Sequence, residues 1–244
     1  MNQNNQNVIS EKSSDNGVRE KLLLIFGMLY ITIDLTCDVT AHRYVEFFSL
    51  TLIGSSLIYP LTYFFNDVIT EIFGYSYGRL MIWCGVAADF IFSFLIIGII
   101  HLPSPSFWHL GQSFIDVLEP MLRLNIGGLC GIIVGRFVNI YLLSRLKVAM
   151  HGKYFWFRSI LSTSIGICAH SIVLDVITFY GAIPTQQLKL IMFTNYATNF
   201  SSVILFFWVP TIIVEIIKHK YNIDTYDEKV NYNPFSFKDK KASD

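Results

Sequence analysis

Long apolar runs alternate with short polar breaks along most of this chain. Six of these runs approach or exceed the roughly 20 residues that an α-helix needs to cross a bilayer. The predicted spans lie near residues 21–40, 45–66, 79–101, 117–144, 156–181 and 189–217. The breaks between them contain glycine and proline residues that favour turns. The pattern therefore predicts an all-α membrane protein built as a six-transmembrane-helix bundle.

Polar segments flank the predicted bundle at both ends. Residues 1–19 are rich in Asn, Gln and Ser, so the sequence predicts a disordered tail there. The transmembrane domain is expected over residues 20–217, and residues 218–244 are expected to form a charged, irregular C-terminal tail. No small-residue cleavage site follows the first apolar run, which we therefore expect to be retained as a helix.

Lys and Arg residues are distributed unevenly between the two faces of this bundle. One face holds both tails, Arg79 and the basic break at residues 145–158, whereas the other holds only Arg43, Arg123 and Lys189. The positive-inside rule then places both termini in the cytoplasm, and an even number of spans agrees with that. We expect a multi-pass protein of the cell (inner) membrane.

Composition supports the membrane assignment and argues against several other classes of protein. Charged residues make up 15% of the chain, against about 25% in ordinary soluble domains. The formal net charge is zero and no basic stripe is present, so we expect no nucleic-acid partner. The four cysteines show no metal-binding or CxxC spacing, and no phosphate-binding loop or nucleophile–base pair occurs. We therefore expect no metal, no cofactor and no enzymatic activity.

Polar side chains inside the apolar runs are the main candidates for function. A charge at the centre of a bilayer costs at least ~2.5 kcal/mol, so such residues usually pair or bind something. At the end of the second predicted span, Tyr63, Asp67 and Glu71 share one helical face, and Asn66 adjoins them. We expect Asn66 and Asp67 to form an internal polar site. For Glu71, a solvated position at the membrane interface is an equal alternative.

The fourth predicted span contributes a second pair of polar side chains. Arg136 and Asn139 lie three residues apart and share a face. A buried arginine needs a carboxylate, and Asp67 or Glu71 is the expected partner. The pattern leaves open whether that contact is a structural ion pair or part of a substrate clamp.

The remaining spans add polar residues at several depths. His170 lies near the midplane of the fifth span, about 18 Å along the helix from Arg158, and is followed by Asp175. Asn195 and Asn199 lie one turn apart in the sixth span. These side chains predict a site for a small, flat, hydrogen-bonding ligand held between aromatic rings.

The sequence contains three further acids and a set of small residues in the predicted spans. Asp34 and Asp38 in the first span rank below the other candidates, because Asp38 lies close to a predicted helix end, and Asp89 is a further polar position in the third span. The fourth span also contains a stripe of glycines at spacing four, which predicts close approach of a neighbouring helix. These glycines are Gly127, Gly131 and Gly135.

Three strings in the chain resemble one family. They are YPLTYFFNDVITEIFGYSYGRLMIW, RLNIGGLCGIIVGRFVNIYLLSRLK and, more weakly, RSILSTSIGICAHSIVLDVITFYG. They are similar to the queuosine precursor transporter family, within the wider vitamin-uptake group. The resemblance implies a six-helix importer, similar in fold to the substrate-binding subunits of energy-coupling-factor transporters. By motif position, it also implies substrate contacts for Asn66, Asp67, Glu71 and Asn139.

The family's substrates are 7-deazaguanine bases. The resemblance implies import of 7-cyano-7-deazaguanine, 7-aminomethyl-7-deazaguanine or queuine for queuosine salvage, without a dedicated ATPase. The sequence departs from the family pattern at Arg136, Ile167, His170 and Asn199. We therefore expect any difference in substrate or proton coupling to arise at these positions.

Two alternatives to an importer stay open at this point. One is a binding subunit for a vitamin or nucleobase that needs a separate ATP-driven module. The other is a membrane receptor that transports nothing. The partners expected for an importer are the small-molecule base and the lipid bilayer, and association of several copies is left open.

Overall fold

Helices make up most of the structure, a computed structural model that describes residues 3–41, 43–47, 50–119, 121–179 and 184–236. The ends of both predicted tails, residues 1–2 and 237–244, lie outside these ranges. The helices are α1 (Gln3–Thr40), α2 (Tyr59–Phe73), α3 (Tyr75–Ile100), α4 (Gly111–Leu118), α5 (Met121–Ala149), α6 (Phe155–Phe179), α7 (Thr185–Phe206) and α8 (Trp208–Tyr221). Strands β1 (Tyr44–Phe47) and β2 (Leu50–Ile53) form an antiparallel hairpin, followed by a 3-10 turn at Gly54–Leu57.

Several of the helices can cross a membrane. Among the described residues, four segments are long and apolar enough, and α7 with α8, bent by 43°, forms a fifth if the pair counts as one span. The four are Gly17–Thr40, Tyr75–Ile100, Gly127–Ala149 and Phe155–Thr178. Helix α1 begins at Gln3, so it extends into residues 1–19, where the sequence predicts a disordered tail. The described residues are thus all-α apart from the hairpin and contain four to five candidate spans, so the predicted count of six is not confirmed.

The second predicted span, residues 45–66, is where the sequence prediction is wrong. Its first half forms the β1–β2 hairpin and the 3-10 turn, and helix α2 begins only at Tyr59. The run contains many β-branched and aromatic residues, and an apolar run has no periodicity that separates strand from helix. Pro60 stands in the first turn of α2, where proline is favoured. With 15 residues, α2 is about 22 Å long, too short to count as a span.

Helix α2 is the central element of the bundle. Thirteen of its 15 residues are buried, and it packs against α1, α3, α5, α6, α7 and α8. By contrast, α3 exposes large apolar side chains such as Phe90 and Phe94, as expected for a surface in contact with lipid. The polar residues of α2 therefore lie in the interior of the protein rather than at its edge.

Helices α5 and α6 approach each other through glycines, which confirms the predicted close approach along the Gly127, Gly131 and Gly135 stripe. A Cβ atom added at Gly135 would lie 2.6 Å from the Cβ of His170 and 2.7 Å from the carbonyl oxygen of Gly166. Gly166 on α6 meets Gly135 in the same way. Backbone atoms occupy this contact, so it has no room for a side chain.

Replacement of Gly135 by Ala is expected to lower the free energy of unfolding by about 1–3 kcal/mol, because overpacking forces two backbones apart. The matched control is Gly98→Ala on α3, where an added Cβ meets nothing within 4 Å. That control should be neutral or slightly stabilising, because alanine favours helix. Thermal unfolding in detergent measures both variants. Equal midpoints for the two would contradict the close packing of α5 on α6.

The chain after α8 folds back onto the bundle; we call residues 222–236 the clasp. Asp227 Oδ2 accepts hydrogen bonds from the backbone N–H of Tyr75 (2.9 Å) and from Ser144 Oγ (2.7 Å). The N–H of Tyr75 opens α3 and has no partner inside the helix. Arg79 donates to the carbonyl oxygens of residues 231 and 233, and Trp83 to that of residue 234. Burial raises the pKa of the Asp227 carboxyl above its ordinary value.

Candidate functional site

Three polar centres follow one another along α2. The end of the bundle beside the β1–β2 hairpin is called the hairpin end, and the end covered by residues 222–236 the clasp end. A cavity lies beside Tyr59 at the hairpin end, a closed hydrogen-bonded cluster surrounds Asp67, and an ion-pair network surrounds Glu71 at the clasp end. Tyr59 and Glu71 are 12 residues apart, about 18 Å along a helix.

The first centre is a partly enclosed cavity of about 170 Å³, which we call the ligand cavity. Helices α1, α2, α5, α6 and α7 and the 3-10 turn surround it. An apolar cavity of ~150 Å³ is known to hold a benzene molecule, so this volume suits one flat ring system. Its polar lining residues are Asp34, Asp38, Ser55, Ser56, Tyr59, His170, Ser171, Asn195 and Asn199.

Two aromatic rings form one wall of the ligand cavity. The ring centroids of Tyr59 and His170 lie 4.9 Å apart, with 35° between the ring planes. Beneath them, Tyr63 meets Tyr59 edge to face at 5.5 Å, and the two hydroxyls lie 3.5 Å apart. Tyr63 is fully buried and does not line the cavity. The wall offers a stacking surface next to polar side chains.

Arg136 pairs with Asp34, not with Asp67 or Glu71 as the sequence predicted. Its two terminal nitrogens donate to the two carboxylate oxygens of Asp34 at 2.7 and 2.5 Å, and it also donates to the hydroxyl of Tyr30. Arg136 is fully buried. The predicted partner is wrong because α1 packs against this level of the bundle, whereas Asp67 and Glu71 lie closer to the clasp end.

Several polar atoms around the ligand cavity have no hydrogen-bond partner among the described residues. They include Asp38 Oδ2 and Asn199 Oδ1, both buried. Asn195 Nδ2 donates a hydrogen bond to Asp175 Oδ1 at 3.3 Å. Asp175 does not line the cavity itself, but it orients Asn195, which does. Unpaired buried groups are costly, and a bound ligand would satisfy them.

The second centre is closed and fully hydrogen-bonded at its carboxylate. Asp67 accepts from Asn139 Nδ2 (2.8 Å), Ser159 Oγ (2.6 Å) and Thr163 Oγ1 (3.0 Å). All four side chains are buried. The neighbouring Asn66 is also buried, and neither polar atom of its side chain has a partner among the described residues. This cluster joins α2, α5 and α6 below the ligand cavity.

The third centre is an ion-pair network around Glu71. Arg158 donates to both carboxylate oxygens at 2.7 and 3.0 Å, and Lys218 Nζ lies 2.6 Å from Oε1. Lys147 Nζ lies 3.5 Å from the same oxygen, and both lysines contact Asp224 of the clasp. Glu71 is fully buried, so the alternative that it is solvated at the interface is wrong.

The structure thus distributes the predicted site residues over different places. His170, Asn195 and Asn199 line the ligand cavity. Tyr63, Arg136 and Asp175 stand behind the lining and contact residues of it. The remaining four, Asn66, Asp67, Glu71 and Asn139, lie nearer the clasp end, outside the cavity.

The sequence ranked several contributors too low or missed them. Asp34 and Asp38 line the ligand cavity, although the sequence ranked them below the other candidates, and Tyr59 lines it without having been selected. The basic partners of Glu71 (Arg158, Lys147 and Lys218) were interpreted from the sequence as charged residues that flank membrane spans. Within the described residues, no group of three or more His, Cys, Asp or Glu side chains could hold a metal ion.

Comparison with known proteins places the chain in a family of transporters. Residues 53–214 match the family described as "Putative vitamin uptake transporter", a stretch that covers more than half of the chain. The chain belongs to this family. The match begins at the end of β2 and continues into α8, so α1 lies outside it. Membership and the apolar helices together establish a multi-pass membrane protein of a transporter family.

One curated relative agrees with the resemblance seen in the sequence. A protein of Bacillus subtilis (strain 168) described as "Probable queuosine precursor transporter" is 23% identical over 159 residues. The aligned region covers 64% of this chain and 69% of the relative. No solved structure matches the chain. The resemblance to this group of transporters is therefore confirmed.

Proposed function

We propose that this protein imports queuosine precursors, 7-deazaguanine bases, across the cell inner membrane for queuosine salvage. The observation that carries the proposal is the ligand cavity of about 170 Å³, which combines an aromatic wall with unpaired polar groups. Family membership and the name of the B. subtilis relative support the same substrate class. Both termini and the clasp then face the cytoplasm, and the hairpin end faces outward.

A 7-deazaguanine base matches the chemistry of the cavity. Its ring N–H and exocyclic amino group are adjacent donors, which a carboxylate accepts in parallel. Asp38 is the carboxylate of the cavity that stays available, because Asp34 is held by Arg136. The unpaired side-chain oxygen of Asn199 would accept a hydrogen bond from the second ring N–H of the base, and the ring would stack against Tyr59 and His170.

Transport then follows from the arrangement of the three polar centres. The ligand cavity lies toward the hairpin end, while the clasp end is closed by the Glu71 network and by residues 222–236. We infer that the base enters at the hairpin end and leaves after the clasp end opens. Asn66 and Asp67 would then meet the base along α2, which gives the family signature a role in passage.

An uptake assay in cells tests this proposal. The host should lack both queuosine precursor synthesis and its own importer, and the readout is queuosine in tRNA after addition of 7-cyano-7-deazaguanine. Expression of this chain should restore the modification, and unlabelled 7-aminomethyl-7-deazaguanine or queuine should compete. If tRNA stays unmodified although the protein is present in the membrane, the proposal is wrong.

Asn199→Ala is expected to weaken binding of the base roughly tenfold, because a buried hydrogen bond to the ligand is lost. Thr198→Ala is the matched control: its side chain is half-buried on the same helix, does not line the ligand cavity and, among the described residues, bonds to the carbonyl of Thr194. Calorimetric titration of the purified variants with 7-cyano-7-deazaguanine measures both. Equal affinity in the two variants would remove Asn199 from the site.

The same protein in liposomes separates an importer from an ATP-driven binding subunit. The purified chain alone should take up labelled 7-cyano-7-deazaguanine without ATP. Binding without uptake would instead indicate a subunit that needs an energising module, or a receptor.

A further inference from the structure

Two carboxylates remain without a cation once Arg136 has paired with Asp34. Asp38 lies one turn beyond Asp34 on α1, and Asp89 lies in the interior of α3. Asp89 is 3% exposed, and neither of its carboxylate oxygens has a hydrogen-bond partner among the described residues. Asp38 Oδ2 is also buried and unpaired. A membrane interior makes such groups costly, so they point to a ligand that the described residues do not supply.

A small second cavity lies between these two acids. Its volume is about 20 Å³, which exceeds the ~10–15 Å³ that a single water molecule needs. Apart from the two carboxylates, its lining is apolar: Gly128, Leu129 and Ile132. Asp38 and Asp89 thus both line one partly enclosed space that is too small for an organic ligand.

The charges around this space favour a positive ligand. The titratable groups nearby are Asp34, Tyr30 and Cys37 of α1, Arg136 of α5 and, on other walls of the ligand cavity, Tyr59 of α2 and His170 of α6. Arg136 is the cation that acts on Asp89, and both of its terminal nitrogens already bond to Asp34. Three carboxylates therefore share one guanidinium.

A proton fits this space better than a metal ion does. Hard cations such as Mg²⁺ and Ca²⁺ take six or more oxygen ligands, whereas this space has only two carboxylates and apolar walls. Two neighbouring carboxylates that cannot both ionise share one proton instead. Protonation forms one O–H bond on a carboxylate oxygen and breaks no bond in the protein. The protonated member of the pair then becomes a hydrogen-bond donor, and the ionised member remains an acceptor.

We propose that Asp38 and Asp89 form a proton-binding site whose occupancy is linked to ligand binding in the ligand cavity. The two spaces share a wall, since Asp38, Gly128 and Ile132 line both of them. A proton on the pair changes the charge beside the ligand, and by linkage the ligand changes the affinity for the proton. The linkage rests on the proposed function, because that function supplies the identity of the ligand. The proton site itself is independent of the proposed function.

The proton site is tested without any ligand, by infrared difference spectroscopy of the purified full chain during a pH titration. The wild type should show the C=O stretching band of a protonated carboxylic acid, which disappears as the pH rises. Asp89→Asn and Asp38→Asn should each change this band, because each removes one member of the pair. Asp116→Asn is the control, since this exposed acid on α4 accepts a hydrogen bond from Gln112 and, among the described residues, has no other partner.

The contrary results are distinct. Bands of both variants identical to wild type would overturn the proton site. A band that responds to NaCl at constant pH would assign the site to a metal cation and overturn it as well. If Asp89→Asn does not fold, Asp89→Glu and Asp38→Asn supply the same readout.

The linkage is tested by calorimetric binding of 7-cyano-7-deazaguanine in buffers of different ionisation enthalpy. Wild type should exchange protons with the buffer on binding, with an affinity that changes up to tenfold per pH unit. Asp89→Asn should still bind, because Asp89 does not line the ligand cavity, but without proton exchange. Equal exchange in both would overturn the linkage. Failure of this base to bind at all would contradict the proposed function and leave the infrared result standing.

Discussion

Replacement of Asp34 by Ala is expected to lower the free energy of unfolding by about 3–5 kcal/mol, the cost of leaving one member of a buried ion pair without its partner. Arg136 is fully buried and bonds to both oxygens of Asp34. After the substitution, the hydrogen-bond partner that Arg136 keeps among the described residues is the hydroxyl of Tyr30. Binding of the base should be lost as well, because Asp34 lines the ligand cavity.

A combined substitution separates the charge from the fold. Asp34→Leu with Arg136→Leu removes both charges, and replacement of a buried pair by apolar side chains is often neutral or stabilising. The double variant should therefore recover most of the stability that Asp34→Ala loses, while binding stays weak. Asp116→Ala, at an exposed acid of α4, is the control and should change little.

Thermal unfolding in detergent and calorimetric binding measure the two effects. An Asp34→Ala protein as stable as the control would show that Arg136 has another partner in the membrane. A double variant less stable than Asp34→Ala would show that the pair contributes through packing rather than through charge.

Replacement of Glu71 by Gln has the second largest expected effect, again about 3–5 kcal/mol of stability. Glu71 is fully buried, and its carboxylate contacts Arg158, Lys218 and Lys147 at 2.7, 2.6 and 3.5 Å. A neutral amide at residue 71 removes one negative charge from the network. The positive charges of Arg158, Lys147 and Lys218 then have Asp224 as their remaining acid in the network. Because most of these groups are buried, added salt should restore little of the loss.

The Glu71 network also connects α2 to the clasp. Lys147 and Lys218 both pair with Asp224, at 2.5 and 3.0 Å, and Lys147 also bonds to the carbonyl of Thr225. Glu71→Gln should therefore loosen residues 222–236, which hydrogen–deuterium exchange detects as faster exchange in that segment. Faster exchange there is the local sign of an opening clasp end.

Glu215→Gln provides the matched control for this prediction. Glu215 is an exposed acid on α8, the helix that also carries Lys218. The control should leave both the unfolding midpoint and the exchange of residues 222–236 as in wild type. If Glu71→Gln behaved like the control, the network would not hold the clasp end closed.

The second predicted span shows what an apolar run leaves undecided. Residues 45–66 are apolar enough for a helix, and the same residues favour strands because many are β-branched or aromatic. The hairpin forms where this segment meets the end of α1: a Cβ added at Gly54 would lie 2.9 Å from the carbonyl oxygen of Thr40. The segment that forms strands therefore also packs against α1. That contact lies between distant parts of the chain, so the local sequence pattern does not predict it.

The glycine stripe shows the opposite case. Gly127, Gly131 and Gly135 share a face because of the helical period alone, and their lack of side chains requires a close neighbour. The sequence predicted that contact correctly, although it did not name α6 or His170 as the neighbour. The sequence can therefore predict which residues of a single helix share a face.

By itself, the sequence determined most of the apolar spans, the membrane environment, many of the buried polar residues and the family. The tertiary structure decided which of those polar residues meet. Asp34, Asp67 and Glu71 could each have paired with Arg136 as far as the sequence shows. The positions of α1 and α2 around α5 bring Asp34 to it. The physical reason is that the helical period orders side chains on one helix, whereas contacts between helices depend on their relative shift and rotation, which packing of the whole bundle sets.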